Sequence, residues 1–160
     1  MSVKVTIYNK QKKCDITPDI RRLIKTACTA TLKAEQFGGN AEIEVTIVDD
    51  SRIKEINNDC RGINAATDVL SFPLGENGVY DKNPETGAFM LGDVVISAEH
   101  AVAQGEKFGH GVSREIAYLT VHSVLHLLGY DHVNSKKEKT VMRNHEETVM
   151  NMIGLPENKG

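Results

Sequence analysis

The segment His122-Ser-Val-Leu-His126-Leu-Leu-Gly129-Tyr-Asp131-His132 holds three of the six histidines in this 160-residue chain. On a helix, residues four apart stack on one face, so His122 and His126 point the same way, one turn apart. Gly129 is placed to end that helix and reverse the chain, which would carry His132 back to the same point. Three converging imidazoles suit one metal ion. Three protein ligands leave a fourth position for water, the catalytic arrangement for zinc, which brings the pKa of water it holds to about 7. A structural zinc site usually takes four ligands and prefers cysteine. Cys14, Cys28 and Cys60 all lie far from the motif in sequence. Hydrogen-bonded core histidines would explain one of the three more easily than all three at these spacings. One zinc ion per chain is therefore the expected cofactor. Imidazole ligation also suits copper, nickel and iron, so zinc rests on its commonness in such sites.

The H-x3-H-x2-G-x2-H spacing is shared with metzincin peptidases, which carry a glutamate directly after the first histidine as general base. Here that position is Ser123. A serine does not take a proton at neutral pH unaided, so the motif points away from peptide cleavage and toward other metal-assisted hydrolysis. Asp131 and Glu115 are candidates to orient a histidine through its other ring nitrogen. A second segment runs Arg61-Gly-Ile-Asn-Ala-Ala-Thr67-Asp68-Val-Leu-Ser-Phe-Pro73. An arginine at the lip of a metal site can clamp a phosphate and stabilise charge developing on it, whereas an arginine before a strand is otherwise an ordinary solvated residue.

The elements that must position these residues are legible in outline. Val3 to Tyr8 alternates as a strand. Thr17-Pro18 opens a helix, with Ile20, Leu23, Ile24 and Ala27 on one face, and Gly38-Gly39 closes the segment. Glu42 to Val48 alternates as a half-buried strand, and Asp49-Asp50-Ser51 caps a short helix to about Asn58. Val69 to Phe72, closed by Pro73, and Leu91 to Ile96 are two further strands. The long polar loop between them, Gly75 to Ala88, is of a length often functional or mobile. Ser97 caps a helix to about Phe108, and Ser113 caps the next, to Leu128. That histidine-bearing helix is apolar nearly all round, with Ile116, Val121, Val124 and Leu127 among its other faces, which predicts a buried central helix. Ser135-Lys-Lys-Glu138 is a capping box for a last helix ending near Gly154-Leu155-Pro156. Helices do not strictly alternate with strands, so the fold class is α+β, a single domain over 1–160.

Composition agrees: charged residues are 26% and the hydrophobic set 40%, ordinary for a globular protein. The alternating N-terminus is no signal peptide, and no apolar run approaches the ~20 residues that span a bilayer. Three cysteines without C-x-x-C spacing fit reduced thiols in a cytosolic protein. A net charge of −3 excludes coating of nucleic acid by sheer positive charge. It leaves room for a local patch, for which Lys10, Lys12, Lys13, Arg21, Arg22 and Lys25 are close enough in sequence; an ordinary solvated face accounts for them equally well.

Taken together, these segments resemble the YbeY family of metal-dependent endoribonucleases. The resemblance rests on the His122–His132 motif, on Arg61 six residues before Thr67-Asp68-Val69-Leu70-Ser71-Phe72-Pro73, and on Leu91-Gly92-Asp93-Val94-Val95-Ile96-Ser97. Met142, Glu146 and Ile153-Gly154 complete it, in order from about residue 55 to the C-terminus. It implies a small mixed four-stranded sheet packed with helices around a central, zincin-like metal helix. It also implies metal binding by His122, His126 and His132, with Arg61 on the phosphate. The implied activity is cleavage of single-stranded RNA, in 3′-end maturation of small-subunit (16S) rRNA and ribosome quality control, with the small ribosomal subunit as cytoplasmic partner. Ser123 stands where the family usually has glycine, and Ile63 where many members have lysine. With aromatics at 5% and no tryptophan, base stacking is not the main grip on RNA. Two alternatives are a metalloprotease-like zinc hydrolase, which Ser123 disfavours, and a non-catalytic ribosome-associated factor with a structural metal.

Overall fold

The computed structural model describes residues 1–131 and 135–156. Its elements run β1 (Val3–Asn9), α1 (Pro18–Ala34), β2 (Ala41–Val48), α2 (Asp50–Arg61), β3 (Val69–Pro73), β4 (Phe89–Ser97), α3 (Ala98–Lys107), α4 (Gly111–Leu127) and α5 (Lys136–Met152). The strands form one sheet in the order β1-β2-β4-β3. β1 and β4 lie parallel to β2, and β3 pairs antiparallel with β4, so the sheet is mixed and the fold α+β, as expected. Among the described residues, no helix is long and apolar enough to cross a membrane.

Alternation fixes the sheet's faces. Ile43, Val45 and Ile47 of β2 are buried, and they join Ile24 and Leu32 of α1 and Ile116, Leu119, Val124 and Leu127 of α4 in one core. A smaller cluster on the other face packs α2 through Ile53 against Val48, Leu70 and Val95. A third joins α5 to α4 and α1 through Met142, Val149, Val121, Leu125 and Ala27. α4 is thus enclosed by the sheet, α1 and α5, which is why it has no polar face of ordinary width.

The capping signals act where the sequence puts them. Thr17, Asp49, Ser97 and Ser135 each accept a bond from the backbone N–H three residues on. α4 departs from the expectation. It starts at Gly111, with His110 at the cap position and no side-chain capping bond, so Ser113 lies inside its first turn. α2 also continues past Asn58 to Arg61, where Gly62 in the left-handed region (φ 69°) closes it. The 75–88 loop is tied down at several points. Bridges pair Glu76 with Val79 and Lys82 with Phe89, and Tyr80 is buried with its hydroxyl donating to the Leu127 carbonyl at 2.5 Å. That bond satisfies one of the carbonyls left open at the end of α4. Gly92, at φ 148°, lets β3 and α4 approach: a Cβ there would meet the Phe72 carbonyl oxygen at 2.4 Å and Leu127 Cδ2 at 2.7 Å.

Candidate catalytic cleft

His122 and His126 lie one turn apart on α4, and their Nε2 atoms are 3.1 Å from each other. Each ring is fixed from behind. The His122 Nδ1–H donates to Glu146 Oε2 of α5, and the His126 Nδ1–H donates to the Tyr130 carbonyl at 2.7 Å. With both Nδ1 atoms engaged by acceptors, both Nε2 atoms present lone pairs. Two lone pairs facing one another at this distance repel unless one ring carries a proton there or a metal ion lies beside both. Imidazoles in this tautomer, each backed by an oxygen acceptor, are the donor set that divalent transition metals take. The residues therefore fit a metal. Among the described residues, no group of three or more His, Cys, Asp or Glu could hold one, and the expected third ligand, His132, lies outside the described residues.

Glu146 is 5% exposed, and its second oxygen accepts from the Tyr118 hydroxyl at 2.9 Å. Burial, then the adjacent Glu146 carboxylate, pushes the Tyr118 hydroxyl far above its ordinary pKa, so it stays a donor. Tyr130, whose carbonyl holds His126, is placed by Gly129 at φ 104° and by its own N–H donating to the Leu125 carbonyl at 3.1 Å. Its hydroxyl lies 3.4 Å from His145 Nε2, and His145 Nδ1 is 2.8 Å from Glu35 Oε2 at the end of α1. Burial, with Glu35 nearby, pushes the Tyr130 hydroxyl up to about 12. Three helices thus brace two histidine rings.

The histidines open onto a cleft of about 730 Å³. One wall is α4, with Tyr118, Leu119, His122 and His126, and the floor continues into Gly129, Tyr130 and Asp131. The opposite wall is Thr67, Asp68 and the edge strand β3, with Arg61 at the end of α2. Arg61 is exposed, and its Nη2 reaches the Ser71 carbonyl at 3.5 Å. Ser71 Oγ and Ser123 Oγ are 2.5 Å apart, so this pair joins the strand wall to the helix wall.

The structure thus brings Arg61, His122, His126 and Asp131 to one cleft. It does not bring Glu115 to either histidine: Glu115 is buried against His110, with Oε2 2.7 Å from Nε2. The basic cluster is not at the cleft either. Lys10, Lys12 and Lys13 follow β1, Arg22 pairs with Asp19, and these flank the start of the 17-residue α1. Glu35, just past the far end of α1, is the residue near the cleft floor, about 25 Å along the helix. Sequence reasoning placed Glu146 in a motif but did not pair it with His122. The signal was present: Met142, Glu146, Val149 and Met150 recur at helical spacing, and a glutamate inside a buried stripe needs a partner.

A mixed sheet, a buried helix bearing two backed imidazoles and an arginine across the cleft from them define a class: α+β proteins with a histidine-lined cleft beside a sheet edge. The family model for Endoribonuclease YbeY matches residues 6–154, and the chain belongs to that family. It is 47% identical over 157 residues to the Endoribonuclease YbeY of Caldicellulosiruptor bescii, covering 96% of this chain and 99% of the relative. It is 44% identical over 158 residues to that of Caldanaerobacter subterraneus subsp. tengcongensis, with the same coverage. The solution structure of a Thermotoga maritima protein shares the fold, with a TM-score of 0.58 at 24% identity over 94% of this chain and 91% of the other.

Proposed function

We propose that this protein is a metal-dependent endoribonuclease that cuts single-stranded RNA, acting in the cytoplasm in 3′-end maturation of small-subunit rRNA and in ribosome quality control. The activity is the one named for its relatives. The observation that carries the reading is the meeting of Arg61 with the backed histidine pair across one cleft. His122 and His126, with His132, would hold one zinc ion. The bound metal would supply Lewis acidity at the scissile phosphate and a lowered pKa for water. Arg61 clamps a non-bridging phosphate oxygen and stabilises the charge that grows there during in-line displacement. Glu146 and the Tyr130 carbonyl keep both rings oriented, so that no reorganisation is needed when substrate arrives.

The test is cleavage of a labelled single-stranded RNA by protein as isolated, after chelation and after return of zinc, with metal content measured in each sample. Cleavage is expected to follow the metal, to vanish in His126→Ala, and to fall at least 100-fold in a folded Arg61→Ala (about 10²–10³ for one charge-stabilising group). Zinc-loaded wild-type protein that leaves every RNA tested intact, including small-subunit rRNA precursors within the subunit, would overturn the reading.

A further inference from the structure

The cleft wall opposite the histidines is a sheet edge, and its hydrogen bonds can be assigned one by one. The Ser97 N–H donates to the Asp68 carbonyl and the Leu74 N–H to the Leu91 carbonyl. In the β3–β4 register these are directly opposed partners. Residues 68, 70, 72 and 74 therefore turn their backbone groups to β4, and 69, 71 and 73 turn theirs to the open edge. Three outward positions remain. The Val69 N–H is taken by Asp68 Oδ1 at 2.7 Å. Pro73 has no N–H. Among the described residues that leaves the N–H of Ser71, whose own carbonyl is met by Arg61 and whose hydroxyl is held by Ser123.

This pattern discriminates between occupants. A peptide adding to the edge as a strand needs donors at alternate residues. Residue 69 has its donor capped and residue 73 has none, so this edge offers a strand very little. One N–H beside a guanidinium is instead a two-donor cradle for a single anionic group. We propose that the Ser71 backbone N–H is a catalytic group, donating with Arg61 to a non-bridging oxygen of the RNA phosphodiester as it faces the histidines. This rests on the endoribonuclease reading. The β3–β4 ladder holds the strand so that the donor is aimed before substrate arrives, which is where such a donor gains its strength, and the Ser123–Ser71 bond is a further tie to α4.

The experiment compares two double variants that share the loss of both hydroxyls and differ in the N–H. Ser71→Ala/Ser123→Ala keeps it; Ser71→Pro/Ser123→Ala removes it at an edge position where proline is tolerated. Both are loaded with zinc, checked by thermal melting, and assayed on the same single-stranded RNA. The proline variant is expected to cleave at least tenfold more slowly than the alanine variant, mainly in kcat. Equal rates from two folded proteins would overturn the proposal. In parallel, the backbone amide of Ser71 is followed by NMR in wild-type protein titrated with a 2′-deoxy oligonucleotide of the same sequence. A saturable downfield proton shift at Ser71 is expected, and an amide that does not move while the oligonucleotide binds would overturn the proposal even if the proline variant does not fold. A wild type that neither cleaves nor binds RNA would instead remove the endoribonuclease reading, and this assignment with it. A wild type that cleaves while the two variants match would remove this assignment alone.

Discussion

Glu146 offers the sharpest test of how the histidine pair is held. Its carboxylate is buried and accepts from His122 and from Tyr118. Glu146→Gln keeps the shape and one acceptor oxygen but removes the charge. A hydrogen bond with a charged partner is roughly twice as strong as a neutral one, so about 1–1.5 kcal/mol of the hold on His122 is lost, close to tenfold in affinity. That falls at the lower end of the 10–100-fold usual for groups that back a metal ligand. Glu146→Leu removes both acceptors. It leaves two partly buried donors without their acceptor, at about 0.5–1.5 kcal/mol each, and should therefore lower stability by about 1–3 kcal/mol as well. The assay is zinc competition against a chromophoric chelator, with denaturant unfolding of the metal-free proteins beside it. The expected result is a Gln variant near wild-type stability with tenfold weaker zinc binding, and a Leu variant impaired in both. A Gln variant binding zinc within twofold of wild type would refute the argument that this carboxylate sets the histidine's donor strength.

Three further outcomes follow from the same geometry. Tyr80→Phe frees the Leu127 carbonyl at the end of α4 and should cost about 1 kcal/mol, read as a fall in Tm of roughly 2–4 °C by calorimetry. Asp93 is raised above the ordinary carboxyl range, chiefly by burial and only partly offset by its bond with Glu44. The folded state therefore binds this proton more tightly than the unfolded chain, and stability falls as pH rises from about 4 through the raised value. Asp93→Asn should melt above wild type at pH 7 and level with it at pH 3; a gap that is the same at both would refute the assignment. Burial pushes the Cys28 thiol up to about 12, whereas Cys60 is exposed. An aromatic disulfide reagent followed by mass spectrometry should label Cys60 in the folded protein and Cys28 only after unfolding.

What the sequence reveals and what it hides divide along physical lines. Caps at Thr17, Asp49, Ser97 and Ser135 are local: a side chain meets a backbone amide three residues away, so spacing alone finds them. The facing of His122 and His126 is likewise a matter of helical pitch. Ser113 has the same local signature as the true caps, yet the helix begins earlier, where His110 is held by Glu115 and Arg114. Arg61 and Glu146 show the other limit. Each is visible as a residue of the right type, but its position depends on how α2 and α5 cross the rest of the fold, which no spacing encodes. The alternation of inward and outward groups along β3 becomes readable only once its register with β4 is known.

The bracing of His122 by the last helix also has a consequence in time. A chain is made from its N-terminus, so the sheet, α2 and α4 all exist before α5 does. Until Lys136–Met152 has emerged and docked, His122 has no carboxylate behind it and Tyr118 has no acceptor. The bracing of His122 is therefore completed later than the sheet, α2 and α4 that form the rest of the cleft. Before α5 docks, His126 already has the Tyr130 carbonyl behind it, whereas His122 is present but unbraced.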